Sequence, residues 1–185
     1  MKTKLIVIIN GAPLSGKDTL VEAVSDVYPT LNISSVDLVK QAARLLMWDG
    51  VTKDIQSRKF LAELKQLSVN YNDAPTKDLI HKTKEFLNTN YYRVLFVHIR
   101  EQEEIDKYLK TLTDNFSKVD YKFNILKILI SNDKLLKTDW DNASDNSENF
   151  DKTKYDILFN NDYSNKEIAK QKQTEFINLI KTHLI

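Results

Sequence analysis

Unbroken apolar runs alternate along the chain with apolar residues spaced at helical intervals, a rhythm that predicts strands and helices in turn. The first run is Leu5, Ile6, Val7, Ile8 and Ile9, whose β-branched content predicts a buried strand. Leu20, Val21, Ala23, Val24 and Val27 then predict a helix that stops near Tyr28-Pro29. Residues 31–36 alternate and fit a short second strand, with Asp37 placed as a helix N-cap. Val39, Ala42, Ala43, Leu45 and Leu46 recur at helical spacing up to Trp48-Asp49-Gly50, where Gly50 reads as the terminator. A further helix is expected over 54–70, with Phe60, Leu61, Leu64, Leu67 and Ser68 on one face. Asn72-Asp73-Ala74-Pro75 reads as a turn, and 76–87 as the next helix.

Residues 91–99 form a near-continuous apolar run, the pattern of a central parallel strand covered on both faces. Arg100-Glu101-Gln102-Glu103-Glu104 opens a short helix, with acidic side chains at its positive end. Strands follow over 121–130 and 155–159, then a turn at Asn160-Asn161-Asp162 and a closing helix over 165–184. Residues 131–154 are polar and rich in Asp, Asn and Ser, and read as a mobile surface loop. Strands alternating with helices imply an α/β sheet with right-handed crossovers. The block 37–90 holds helices only, so it reads as an insertion over the sheet's C-terminal edge, where ligands bind in this architecture.

A length of 185 residues suits one α/β domain and is short for two. The formal net charge of +1 points to neither nucleic acid nor membrane as a partner. Cysteine is absent, which excludes disulfides and thiolate metal sites. The apolar run after Lys2 and Lys4 is too short for a secretory signal, and no stretch is long enough to span a bilayer, so a cytosolic (cytoplasmic) protein is expected. Of the 27 basic residues the only arginines are Arg44, Arg58, Arg93 and Arg100. Arginine is the better bidentate phosphate ligand, so these positions carry more weight than the many lysines.

The chemistry gathers where the first strand ends. Gly11-Ala12-Pro13-Leu14-Ser15-Gly16-Lys17-Asp18-Thr19 places a glycine loop between a strand and a helix. This is the order a phosphate-cradling loop requires. Gly11 and Gly16 permit backbone conformations that a side chain would forbid. Loop amides and the helix start can then face an anion, while Lys17 supplies charge for β- and γ-phosphates. Thr19, and Asp18 as the alternative or additional ligand, are the candidates for touching Mg2+ directly or through water. Asp18 could equally be a helix-start residue that points away.

The loop resembles that of adenylate kinase and its relatives, departing at Leu14 and Asp18, and its Gly-Lys-Asp-Thr ending is more similar to phage-type deoxynucleoside monophosphate kinases. Animal-type phosphomevalonate kinases have a related Gly-Lys-Asp. The segment from Trp48 through Leu61 also resembles one found in phage-type deoxynucleoside monophosphate kinases and their uncharacterised bacterial relatives. The resemblance implies a P-loop αβα sandwich with a five-stranded parallel sheet of order 2-3-1-4-5. It implies a single kinase domain over 1–185, with 37–90 as acceptor-binding insertion and 131–154 as a lid-like loop. It further implies ATP and Mg2+ as cofactors, a small-molecule phosphate acceptor, most simply a nucleotide, and a monomer or homodimer.

Asp37, Lys40 and Arg44 stand three and four residues apart and can share one helix face, and Lys53, Asp54 and Arg58 open the next helix. By the resemblance, Arg44 and Arg58 would grip the acceptor phosphate; Asp37, Lys40 and Lys53 are further acceptor-side candidates from their spacing alone, and a solvated charged face is the alternative. Arg100 follows the central strand, as does the arginine that bridges the two phosphates in adenylate-kinase-like enzymes, and is paired with Lys17 as a catalytic candidate. No Asp ends that strand in this chain; Glu101 or Asp37 could substitute. His98 reads as a core histidine with its hydrogen bonds satisfied, and Arg93 as structural. The lid-like loop carries Lys134, Lys137, Lys152 and Lys154 but no arginine, and Trp140 reads as packing. Asn160-Asn161-Asp162 resembles the adenine-side turn of these kinases, or is a plain polar turn. The expectation is a Mg-ATP-dependent phosphotransferase for a nucleoside or deoxynucleoside monophosphate. The alternatives are a kinase for another phosphorylated small molecule and a nucleotide-binding regulator without turnover.

Overall fold

A computed structural model describes residues 3–52, 54–116, 122–132 and 150–184. Five parallel strands form one sheet in the order β2-β3-β1-β4-β5. They are β1 (Lys4–Gly11), β2 (Thr30–Ser34), β3 (Val94–His98), β4 (Phe123–Ser131) and β5 (Ile157–Asn160). The helices are α1 (Lys17–Ser25), α2 (Asp37–Leu45), α3 (Ile55–Asn72), α4 (Ala74–Asn88), α5 (Gln102–Phe116) and α6 (Lys166–His183). The expected α/β class, five-strand count and strand order are therefore found.

β1 lies at the centre because it is apolar on both faces. Leu5, Val7 and Ile9 join Leu20, Val21 and Val24 of α1 and Phe176 and Ile180 of α6 in one core. Ile6 and Ile8 join Leu79 and Phe86 of α4 and Ile105, Tyr108 and Leu112 of α5 in the other. Strand alternation sends successive side chains to opposite faces, so one continuous apolar run feeds two layers of helices. Each fully buried Leu, Ile, Val or Phe contributes about 1.5–3 kcal/mol. Because all five strands are parallel, their carboxyl ends share one edge, and the functional loops collect there.

Several elements differ from the sequence expectation. α1 stops at Ser25, three residues before Tyr28. Asp37 is the first residue of α2 rather than its cap; its carboxylate turns back to accept from the Ser34 amide at 2.8 Å. α2 ends at Leu45, and the left-handed residue that breaks it is Met47 (φ 67°), not Gly50. α3 is capped as Asp54 suggests, its carboxylate accepting from the Ser57 amide at 2.7 Å. Its expected apolar face is only partly covered: no α3 residue is fully buried, and Leu67 is exposed. The expected turn at 72–75 is mostly helix, since α4 begins at Ala74 with Pro75 in its first turn, where a missing amide costs nothing. α5 is not short but runs for 15 residues, because Ile105, Tyr108, Leu112 and Phe116 supply a full apolar stripe.

Lys4, a charge at the start of an apolar strand, caps the far end of α4. Its ammonium donates to the carbonyls of Phe86 and Thr89, and to that of Leu87 at 3.1 Å. Terminal helix carbonyls lack intrahelical partners, so a cation there is favourable. Most of the lid-like segment, including Lys134, Lys137 and Trp140, lies outside the described residues, as does Lys53. Within its described end, Lys152–Lys154 form one 3-10 turn. No helix among the described residues is long and apolar enough to cross a membrane.

Candidate functional site

The loop from Gly11 to Lys17 forms a concave turn at the carboxyl end of β1. Gly11 has φ 149° and Gly16 φ 80°, backbone that side-chain-bearing residues rarely adopt. Space is as restrictive as torsion. A Cβ on Gly11 would stand 2.3 Å from the Ile130 carbonyl oxygen, and one on Gly16 would stand 2.3 Å from Asn161 Nδ2. Leu14 also takes a left-handed conformation (φ 60°) with its side chain in solvent. No side chain caps α1, whose first intrahelical bond is Leu20 N–H to the Gly16 carbonyl at 3.2 Å. The amides of Lys17, Asp18 and Thr19 precede that bond and therefore have no intrahelical acceptors.

Lys17 folds over this turn, its Nζ donating to the carbonyls of Gly11 at 2.8 Å and Ala12 at 2.9 Å. The ammonium is thus held by the carbonyls of the loop that precedes it, and the Ser15 amide closes that loop onto the Ala12 carbonyl at 3.2 Å. Asp18 and Thr19 follow it on the exposed first turn of α1. Ser15 is fully buried, and its hydroxyl has no hydrogen-bond partner among the described residues.

Remote residues brace the turn. Asn161 donates from Nδ2 to the Ser15 carbonyl at 2.9 Å, and the Tyr163 hydroxyl donates to the Leu14 carbonyl. The turn at 160–162 is therefore joined to the glycine loop. Asn10 ties three segments together: its Nδ2 donates to the Arg100 carbonyl at 2.8 Å and to the Tyr155 hydroxyl at 2.7 Å, while its Oδ1 accepts from the Gly11 amide at 2.7 Å. Asn10, Tyr155 and Tyr163 are not among the residues that the sequence singles out, and Asn161, read as part of an adenine-side or plain polar turn, is found bonded to the glycine loop. The one hint was Asn10, a polar residue closing an apolar strand.

At the end of β3, His98 is paired with Ile9 on one side and Ser34 on the other. Burial holds its imidazole below the ordinary histidine value; Lys17 and Arg100 reinforce the shift, and Asp18 and Asp37 oppose it. The expected satisfied core histidine is not what the fold contains, because the buried Nε2 has no partner among the described residues. Arg100, exposed at the same edge, lies beside the nest through the bond its carbonyl accepts from Asn10. Arg93 sits at the opposite end of the strand, where its amide donates to the Pro29 carbonyl at 2.8 Å.

The helices between β2 and β3 carry the remaining candidates. Lys40 is half-buried and Arg44 exposed on α2, and Arg58 is half-buried near the start of α3. The Arg44 guanidinium packs over Gly50, where an added Cβ would stand 2.8 Å from its Nε. A second charged cluster had no warning in the sequence. Lys65 of α3 reaches Glu101 at 2.8 Å and Glu104 at 2.9 Å with its own side chain only 13% exposed. Burial pushes both carboxyls up, but the Lys65 charge and hydrogen bond outweigh it at Glu101, which is held low, while Glu104 stays raised. Lys107 likewise reaches Asp73 at 2.8 Å, so α5 is tied twice to the α3–α4 hairpin.

No cluster of three or more His, Cys, Asp or Glu side chains among the described residues is arranged to hold a metal ion. Mg2+ does not need one, since it keeps several waters and binds through one or two protein oxygens plus substrate phosphates. Asp18 and Thr19, exposed on the first turn of α1, are oxygen ligands of the kind that sparse mode uses.

No protein-family model matches the chain, and no curated protein matches it either. Among solved structures it is similar to the crystal structure of "a putative kinase" from Chloroflexus aurantiacus J-10-fl, at 19% identity and a TM-score of 0.46. The likeness covers 71% of this chain and 62% of that one, so the chain spans less than two thirds of that protein.

Proposed function

We propose that this protein is a Mg-ATP-dependent phosphotransferase acting on a small phosphorylated acceptor, in the first place a nucleoside or deoxynucleoside monophosphate. The observation that carries the reading is the nest itself. Two glycines in conformations that side chains rarely take shape the loop between β1 and α1, and the Lys17 ammonium folds onto its carbonyls. A glycine turn that served only to join strand to helix would need neither the lysine nor the bracing from Asn161 and Tyr163.

Phosphoryl transfer asks the protein for positioning and positive charge more than for covalent chemistry. The loop amides and Lys17 would hold the β- and γ-phosphates, with Asp18 and Thr19 available to Mg2+, which would offset charge on the transferring oxygens. An acceptor phosphate oxygen forms the new bond to the γ-phosphorus as the bond to the β-bridging oxygen breaks, and that electron pair leaves on ADP. Arg100, on the same edge, would stabilise charge between the two substrates. Arg44 and Arg58, with Asp37, Lys40 and Lys53 beside them, would hold the acceptor under the helical segment. A second reading, nucleotide binding without turnover, draws on one observation: β3 ends in His98-Ile99-Arg100 with no carboxylate.

A coupled assay for ADP release across the nucleoside monophosphates, then across other phosphorylated small molecules, separates these readings. Acceptor-stimulated ADP release that falls at least about 100-fold in Lys17→Ala is expected of the kinase. Triphosphate binding without acceptor-stimulated release would replace it with the regulator.

A further inference from the structure

A covered charge on α3 has no part in the phosphotransfer reading given above. Lys65 is 13% exposed on a helix without one fully buried residue, and its ammonium reaches Glu101 at 2.8 Å and Glu104 at 2.9 Å. An apolar side chain would join α3 to α5 at least as firmly, because desolvating charges offsets much of their attraction. What a hydrogen-bonded ion pair adds is a fixed register between the elements it joins. The register set here is that of Arg100.

Arg100 stands between two anchors. Ile99 before it is buried, and the Arg100 carbonyl accepts from Asn10 Nδ2 at 2.8 Å, with Asn10 itself buried at the end of β1. That anchor belongs to the glycine loop, since Asn10 also accepts from the Gly11 amide at 2.7 Å. The next residue, Glu101, is held by Lys65 and leads into α5, its carbonyl accepting from the Ile105 amide at 3.1 Å. Lys65 lies seven residues beyond Arg58 on α3, about two helical turns, so the two share one helix face. One anchor therefore comes from the donor side, the other from the helix that carries an acceptor-side candidate. Glu104, further into α5, shares the ammonium without adjoining Arg100.

We propose that Lys65 is a positioning residue for Arg100: through Glu101 it sets that arginine relative to α3, so that the guanidinium meets the charge developing between donor and acceptor. The assignment rests on the phosphotransfer reading. An interaction that matters in the transition state more than in binding lowers kcat when lost and leaves KM in place. A misplacement of about 1 Å at the reacting centre can cost about 100-fold.

The test is a double-mutant cycle on kcat, measured below the melting temperature of every variant. Arg100→Ala is expected to lower kcat about 100-fold. Lys65→Met should lower it about 10-fold, with both KM values within about twofold of wild type. Because Lys65 acts through Arg100, the double variant should fall no further than Arg100→Ala alone. Falls that multiply, or a Lys65→Met kcat equal to wild type, overturn the assignment and make Lys65 a stabilising contact only. Two isosteric variants guard against a Lys65 variant that fails to fold. Glu101→Gln should lower kcat at least about 5-fold and add nothing to Arg100→Ala, whereas Glu104→Gln should keep the wild-type value. Equal kcat values in these two variants overturn the proposal. A wild type without acceptor-stimulated ADP release is a different result, which removes the phosphotransfer reading and this assignment with it.

Discussion

The nest at the end of β1 and the helices between β2 and β3 are built on opposite physical plans. The nest is made of backbone: its shape is enforced by two glycine torsions, a carbonyl 2.3 Å from any added Cβ, and bonds from Asn10, Asn161 and Tyr163. The helical segment is made of side chains. α3 has no fully buried residue, and Leu45, Leu46, Met47, Val51 and Ile55 stand exposed around the α2–α3 turn. Its α3 is tied to the start of α5 by ion pairs of Lys65 with Glu101 and Glu104, whereas α4 packs Leu79 and Phe86 against Ile105, Tyr108 and Leu112 of α5, so only the α2–α3 part is loosely held. Elements with few buried apolar contacts occupy the low end of local stability. The comparison teaches that the nest is set in advance, while the helical side can adjust.

The largest effect should come from the rigid side. Gly11→Ala forces a Cβ against the Ile130 carbonyl at a torsion alanine rarely takes. A loss of about 3 kcal/mol or more is expected, lowering Tm by roughly 6–12 °C and abolishing stabilisation by ATP. A variant that melts like wild type and still responds to ATP would break the contrast.

On the adjustable side, Arg44→Ala removes an exposed guanidinium that covers Gly50. Stability should move by no more than about 0.5 kcal/mol. The acceptor KM should rise about 10-fold or more, the worth of a charge-assisted phosphate contact, with the KM for ATP unchanged. Equal rises in both constants would mean that the two regions do not divide donor from acceptor.

The most diagnostic effect concerns the seam between the regions. Lys65→Met leaves two partly exposed glutamates facing each other without their cation. After allowing for solvent screening, the cost at neutral pH should be roughly 1–2 kcal/mol. Glu101 is held low by Lys65, so its contribution is present above the ordinary carboxylate range and is lost as pH falls through its lowered value. In the variant, burial and mutual repulsion favour the protonated acids. The deficit in Tm against wild type should therefore shrink from pH 7 toward pH 4. A deficit that is the same at both values would show that the ion pair contributes only packing.

Legibility followed the range of the interactions. Strand, glycine loop and helix were readable because each is encoded within a few neighbouring residues: an apolar run, glycines at two set positions, a lysine, a helical stripe. The α5 length was misjudged because the acidic start at 101–104 drew attention away from the stripe Ile105, Tyr108, Leu112 and Phe116. The end of α2 was misplaced because Gly50 looked like the natural stop, whereas Met47 takes the left-handed position. For His98, apolar neighbours in sequence suggest a satisfied core residue; it is largely buried, but its Nε2 has no partner among the described residues and the charges of Lys17, Asp18, Asp37 and Arg100 reach it.

By itself the sequence determined the α/β alternation, the burial of β1 as an apolar strand, and a loop with glycine at the two positions of unusual torsion. Those are consequences of periodicity and local sterics, which act over a few residues. Tertiary structure alone decided what holds and surrounds that loop: Asn161 meets Ser15 across 146 residues, Asn10 meets Tyr155 across 145, and Lys65 meets Glu101 across 36. Hydrogen bonds and ion pairs act over a few ångströms and carry no record of chain separation, so these partners become known only when parallel strands bring their ends to one edge.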